Sequence, residues 1–317
     1  MSAPKSLPDL VQRTTENDGE VVFNHFANGL TIKTEIFFKR DGERILPLGS
    51  PQGSLMNHLL NFPEAVQRRR TFEPFAGSGA LGFMALEAGA EHVDFLDINP
   101  RAADFQRDNA SLNDFSPRQF DAITADIASF TPERKYDLIL ANPPFVPTPD
   151  GVAGTLTSNG GPEGSLFVDI LLERLEQLLE ASGRALVYVF QFARNGKPLI
   201  FDSLAETAQR RPIEVTSTQA QPISFETYYQ AYLKVFPQAA AAIEDWRSSL
   251  IRAHGSDLEL CHYVVDIGAQ TDAPSACRIQ DNFAEKFGDD FSVPSDEEAE
   301  LAFGRVFENF VPPQPEA

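Results

Sequence analysis

Cysteine is nearly absent: the 317 residues hold two, Cys261 and Cys277. A framework of disulfides is excluded, and free thiols in a reducing compartment, the cytoplasm, are the expectation. The five histidines are scattered, and none shares metal-ligand spacing with a cysteine. No apolar run is long enough to span a bilayer, and the N-terminal MSAPKSLPDL lacks the apolar centre of a signal peptide. Basic residues are also short, 26 Lys and Arg against 46 Asp and Glu, for a formal net charge of -20. Such a surface repels phosphate backbones unless its cations are segregated, and Arg68 to Arg70 is the only tight basic run. Charge therefore disfavours duplex nucleic acid as a partner, while leaving room for a single extruded base or a small molecule.

What is present is an ordinary globular composition, 42% hydrophobic, enough for one large core with additions. Residues 1–19 are polar and read as a flexible arm. Residues 20–70 read as an antiparallel meander, VVFNHFA, LTIKTEIFFK and ERILPLG, turning at Asn28–Gly29 and Asp41–Gly42, followed by a helix in SLMNHLLNF. From residue 71 to 270, strand-like and helix-like segments alternate. RTFEPF, HVDFLDI, DAITAD, YDLILAN, RALVYVFQ, IEVTSTQ and LELCHYVVDIG are the strands. SLFVDILLERLEQLLEA is a long amphipathic helix with Gly183 near its C-cap. Alternation of this kind predicts an α/β fold, a doubly wound, mostly parallel, seven-stranded sheet with helices on both faces. Residues 222–256 add a helical insertion before the last strand. Residues 271–317 form an acidic extension in which Phe303, Phe307 and Phe310 could supply anchors.

Between the first strand and first helix stands EPFAGSGALG. Gly77, Gly79 and Gly82 spell G-x-G-x-x-G, and Asp97 ends the next strand, where an acid can accept hydrogen bonds from ribose hydroxyls. That geometry serves a nicotinamide dinucleotide and S-adenosylmethionine alike. Asp126, after the third strand, can meet an adenine amino group or simply cap the next turn. The fourth strand separates the two cofactors. It ends in NPPF, Asn142 to Phe145. Pro143 and Pro144 have no N–H, so the turn presents acceptors without competing donors. The Asn142 side-chain oxygen and the Pro143 carbonyl can both accept from one N–H2 group, while Phe145 stacks on the plane that carries it. An oxidoreductase has no clear use for this turn; an enzyme that methylates nitrogen does.

With EPFAGSGALG, Asp97, Asp126 and NPPF in this order, the chain resembles the class I S-adenosylmethionine-dependent methyltransferases over about residues 71–220. NPPF is similar to the motif of the nitrogen-methylating branches: release-factor glutamine, ribosomal guanine and adenine methyltransferases. SNGGPEGSLF resembles the Gly-Gly-x-x-Gly segment that follows it in the glutamine enzymes. The resemblance implies that Glu73, Phe75, Ala76, Gly77, Ser78 and Gly79 hold S-adenosylmethionine. Asp97, Ile98 and Asn99 would take its ribose, Asp126 and Ile127 its adenine, and Asn142 would face both cofactor and substrate. Asn142 and Pro143 would then be catalytic, with Pro144 and Phe145 against the substrate. Tyr228 and Tyr229, in the insertion, could roof the substrate pocket, or could belong to a helix packed on the sheet. The expected acceptor is a planar amide or amine of a small molecule, peptide or protein. The alternatives are an RNA or DNA base, NAD-dependent oxidoreduction, or cofactor binding without turnover.

Overall fold

The computed structural model describes residues 10–17, 20–35, 44–46, 48–152, 158–218, 221–273 and 275–288. Among these the first element is β1 (Leu10–Glu16), paired antiparallel with β2 (Val21–Phe26), which pairs with β3 (Thr31–Glu35). The meander is therefore shifted toward the N-terminus. Residues 10–16, expected in a flexible arm, supply its first strand, because pairing with β2 satisfies backbone groups that polarity alone gave no reason to order. ERILPLG is not its third strand. Ile45, 2% exposed, is instead held by the Glu35 amide, which donates to its carbonyl, and by its own amide, which donates to Glu35 Oε2 at 2.7 Å. Asp41–Gly42 and Phe303, Phe307 and Phe310 lie outside the described residues.

The main unit then follows in order: α1 (Ser50–Asn61), β4 (Arg70–Pro74), α2 (Ala80–Glu87), β5 (His92–Asp97), α3 (Pro100–Leu112), β6 (Phe120–Thr124), β7 (Tyr136–Ala141), α4 (Leu166–Leu178), β8 (Leu179–Arg194), the two-residue β9 (Lys197–Pro198), α5 (Phe201–Thr207) and β10 (Ile213–Ser217). After these come β11 (Ile223–Ser224), α6 (Phe225–Val235), α7 (Ala240–His254), β12 (Glu259–Ile267), β13 (Cys277–Gln280) and α8 (Phe283–Phe287). The sheet runs β13-β10-β12-β8-β7-β4-β5-β6, with β9 and β11 at its margin. β6, β5, β4, β7 and β8 are parallel neighbours; β12 is antiparallel to both β8 and β10. The seven expected strands are all there, and the segment after residue 270 adds β13, parallel to β10, as an eighth.

Both sheet faces are covered. Leu138, Leu140, Leu186 and Val264 meet α1, α2 and α8 on one side; Ile139, Val187, Val215 and Val265 meet α4 and α5 on the other. α6 and α7 form a third apolar cluster with Phe190, Phe192 and Leu260. Complete burial of one Leu or Phe contributes about 2 kcal/mol, so this packing outweighs any local preference. Gly183 is a case in point. It lies inside β8, not at a helix C-cap, and a Cβ there would come within 2.7 Å of Leu179 Cδ1 and 3.0 Å of the Tyr136 carbonyl oxygen.

The small sheet is joined to the large one through α3. Asn113 Oδ1 accepts from the Thr31 amide at 2.7 Å, and its Nδ2 donates to the Thr31 carbonyl at 2.8 Å. Asn109 repeats both bonds with Lys33, at 2.7 and 3.1 Å. Two residues along a strand advance about 6.8 Å and four along a helix about 6 Å, so the two side-chain amides match alternate strand positions.

Candidate active site

Four adjacent strands bring their C-terminal ends together in the order β7, β4, β5, β6. After β4 the chain turns sharply, with Phe75 at φ 60°, Gly77 at 50° and Gly79 at 79°. Phe75 bears the left-handed conformation without glycine's freedom, a cost of about 1–2 kcal/mol that concentrates at functional turns. Its ring meets Phe167 edge-on at 5.4 Å. The Gly77 amide donates to Asp97 Oδ2 at 2.7 Å, and the Asn99 amide to Asp97 Oδ1 at 2.9 Å. Burial raises the Asp97 pKa, while these amides oppose the rise. The turn's carbonyls are drawn back onto α3: Gln106 Nε2 donates to Gly77 O at 3.0 Å and Asn109 Nδ2 to Ser78 O at 2.9 Å. A Cβ at Gly77 would meet nothing within 4 Å, so the turn opens onto free space on that side. Ile98, 54% exposed, lies beside it, and Asn99 caps α3 by accepting from the Arg101 amide. At the tip of β6, Asp126 is exposed and accepts from the Ala128 amide at 2.8 Å, while Ile127 is buried. Arg174 of α4 donates to the Ile127 carbonyl at 3.0 Å and fixes this turn.

After β7 comes Asn142. Its Oδ1 is shut off from water and has no hydrogen-bond partner among the described residues. A buried acceptor left alone costs about 1–3 kcal/mol, which native structures rarely carry without a use for it. The segment behind it is braced from two sides. Gly160 and Gly164 press on Phe145, where a Cβ would come within 2.7 Å of the Phe145 carbonyl carbon and 2.5 Å of its oxygen respectively. The Val146 amide donates to Ser158 O at 2.8 Å, and the Gly160 amide to Val146 O at 2.9 Å. From α6, the hydroxyls of Tyr228 and Tyr232 both donate to the Pro147 carbonyl at 2.8 Å.

Residues 54–156 match the family model of the methyltransferase small domain. The chain is an S-adenosylmethionine-dependent methyltransferase. A relative from Methanocaldococcus jannaschii, provisionally named a protein N5-glutamine methyltransferase, is 25% identical over 191 residues, 57% of this chain and 83% of that one. The ribosomal protein L11 methyltransferase of Pseudomonas aeruginosa is 36% identical over 118 residues, but the match spans only 37% of its length. The tRNA1(Val) (adenine(37)-N6)-methyltransferase of Aliivibrio fischeri is 30% identical over 111 residues, 35% of this chain and 47% of that one. Among solved structures, an S-adenosylmethionine-dependent methyltransferase from Agrobacterium tumefaciens matches with a TM-score of 0.46 at 13% identity, covering 80% of this chain and 71% of that one.

The residues of this methyltransferase fit its cofactor: an open glycine turn, an acid at the next strand tip and an exposed apolar Ile98 stand side by side. Three expected residues sit elsewhere in the architecture. Glu73, 4% exposed, lies behind the turn, where its oxygens accept from the amides of Leu81 at 3.3 Å and Gly82 at 2.6 Å. It anchors the start of α2, and burial pushes its pKa up to about 8. Tyr228 and Tyr229 are 1% and 4% exposed. Tyr228 braces Pro147, and Tyr229 hydrogen-bonds Glu244 of α7, so both are packing residues of the insertion, not a roof. Gln106, Asn109 and Arg174 were not foreseen. The signal for the first two was there: polar amides on the same stripe of α3 as the buried Ala102, Ala103 and Ala110.

Proposed function

We propose that this methyltransferase works in the cytoplasm on a planar amide or amine nitrogen of a small molecule, peptide or protein. The observation that carries the reading is the buried, partnerless Asn142 Oδ1 at the tip of β7, immediately before two prolines. Gly77, Ser78 and Gly79, with Asp97, Asn99, Asp126 and Ile127, would hold S-adenosylmethionine, which supplies an electrophilic methyl group on a sulfonium. Asn142 Oδ1 and the Pro143 carbonyl each accept one hydrogen of the target N–H2. That orients the nitrogen lone pair toward the methyl carbon, and the two bonds strengthen as positive charge develops on nitrogen. Phe145 covers the plane of the acceptor. Rigid placement is most of what methyl transfer demands, and the braces on Phe145 and Pro147 supply it.

The second reading, a base of RNA or DNA, draws on the tRNA adenine relative, whose target is also an exocyclic amine. A tritiated-methyl assay with an extract separated into protein, small-molecule and nucleic-acid fractions decides between them. Label in the first two supports the amide reading; label in nucleic acid, falling steeply with salt, supports the second. Asn142→Ala should lower transfer about a hundredfold while leaving S-adenosylhomocysteine affinity within a few-fold, and an unimpaired variant would end the role given to Asn142.

A further inference from the structure

β12 carries His262 toward the same region from the opposite direction. In the antiparallel register His262 lies across from Phe190 and Val264 across from Tyr188. Cross-strand partners share a face, so His262, Tyr188 and Phe190 project to one side of the sheet. In the parallel register Ala141 lies beside Val187, which puts Asn142, the next residue, level with Tyr188. The rings join into one group. Phe190 stacks on His262 at 4.3 Å and 25°, and Tyr188 is 5.8 Å from His262. Phe145 is 6.1 Å from Tyr188 and 6.2 Å from Phe190. An aromatic surface thus runs from the NPPF turn to His262.

Each end of that surface bears a polar atom shut off from water with no partner among the described residues, Asn142 Oδ1 at one end and His262 Nδ1 at the other. His58 Nε2 is in the same condition, but His58 lies elsewhere, stacked near Phe62 and Phe287, with its Nδ1 on the Lys286 carbonyl. Only His262 shares the rings of the NPPF turn.

We propose that His262 is a substrate-positioning residue: it hydrogen-bonds a neutral polar edge of the planar acceptor whose N–H2 group Asn142 holds, with Phe145 and Phe190 covering the plane between them. This rests on the nitrogen-methylation reading and adds a selectivity to it. Desolvation pushes the His262 pKa down to about 4, so the ring is neutral at pH 7, with one N–H and one lone pair. A neutral imidazole among aromatic rings offers nothing to balance a buried carboxylate, but its one N–H can donate to the carbonyl of an amide whose two N–H hydrogens are held by Asn142 and Pro143. The acceptor class is then an uncharged amide, and the matching carboxylate is rejected.

The test compares His262→Phe, His262→Asn, Asn142→Ala and the wild-type protein for tritiated-methyl transfer into the fractionated extract, with S-adenosylhomocysteine titration and thermal melting of each. His262→Phe keeps a flat ring on Phe190 and removes both nitrogens. The expected result is near-wild-type cofactor affinity and melting for His262→Phe, with transfer lowered about tenfold through a raised KM. His262→Asn, which restores a hydrogen-bonding amide, should recover part of the loss. Wild-type transfer by His262→Phe overturns the inference, as does a lower melting temperature that accounts for the loss, with no recovery by His262→Asn. If Asn142→Ala fails while His262→Phe is intact, His262 alone is misassigned. If Asn142→Ala is intact, or the wild-type protein labels nothing, the underlying reading falls and this inference with it.

Discussion

Replacing Gly82 by alanine should destabilise the protein, although alanine is the better helix former by about 0.8–1 kcal/mol. Gly82 is an interior residue of α2, not one of the glycines with positive φ. Its role is contact. A Cβ would stand 2.2 Å from Phe95 Cε1, 2.6 Å from Val93 Cγ1 and 2.9 Å from Glu73 Oε2. Phe95 and Val93 are fully buried, and the Phe95 ring is wedged against Phe83 at 4.7 Å and Phe120 at 6.0 Å, so neither can swing aside. Overpacking of this kind costs about 1–3 kcal/mol. Moving α2 away to relieve it stretches the 2.6 Å bond from the Gly82 amide to Glu73, worth about 0.5–1.5 kcal/mol with the carboxyl protonated at neutral pH. Against the propensity gain, the net loss is about 1–3 kcal/mol, read as a fall of a few degrees in the midpoint of thermal unfolding followed by circular dichroism. Gly77→Ala is the control. Its Cβ meets nothing, so the variant should lose only about 1 kcal/mol to the left-handed backbone while weakening S-adenosylhomocysteine binding in calorimetry. An unchanged or raised midpoint for Gly82→Ala would refute the contact argument.

Two further outcomes follow from the same geometry. Burial pushes the Glu73 pKa up to about 8 from the ordinary 4.5, so between these pH values the folded state holds a proton that the unfolded chain has released. Stability therefore falls as pH rises from about 4.5 to about 8, by a few kcal/mol from this group alone. Glu73→Gln should flatten that slope in urea titrations at pH 5 and pH 8, and an unchanged slope would contradict it. Tyr228→Phe and Tyr232→Phe should each cost less than about 1 kcal/mol, because the Pro147 carbonyl keeps one donor, whereas the double variant leaves it with neither of these donors and should exceed their sum. Additive losses in a double-mutant cycle would show that the two hydroxyls do not share that carbonyl.

Much of this was legible in the chain. The alternation from residue 71 specified the parallel sheet because its buried strands are continuous apolar runs bounded by turn residues, as in YDLILANPP. Asn142, Gly77 and Asp97 could be placed because strand ends in such a sheet converge by topology. What escaped reading depended on partners remote in sequence. LVQRTTE looks like a solvated arm until β2 lies beside it. Glu73 looks like a cofactor-facing acid until α2 folds back and presents two amides. Nothing in LELCHYVVDIG singles out His262, and only the register with β8 brings it to the rings beside the NPPF turn. Tyr228 and Tyr229 stay open between two readings in the sequence, since aromatic residues in an amphipathic helix look the same whether they face a cavity or a carbonyl oxygen.

The two asparagines of α3 have a consequence for how this molecule behaves in company. A strand at the margin of a small sheet ordinarily exposes a row of open amides and carbonyls that a stray strand from another copy can zip onto. Asn109 and Asn113 occupy those groups at Lys33 and Thr31, imitating a neighbouring strand with side chains. The outer margin of β3 is thereby closed to templated aggregation. Asn109→Ala together with Asn113→Ala would be expected to create a sticky edge as well as a weaker protein, so losses of yield in such variants should be read against turbidity as well as against unfolding.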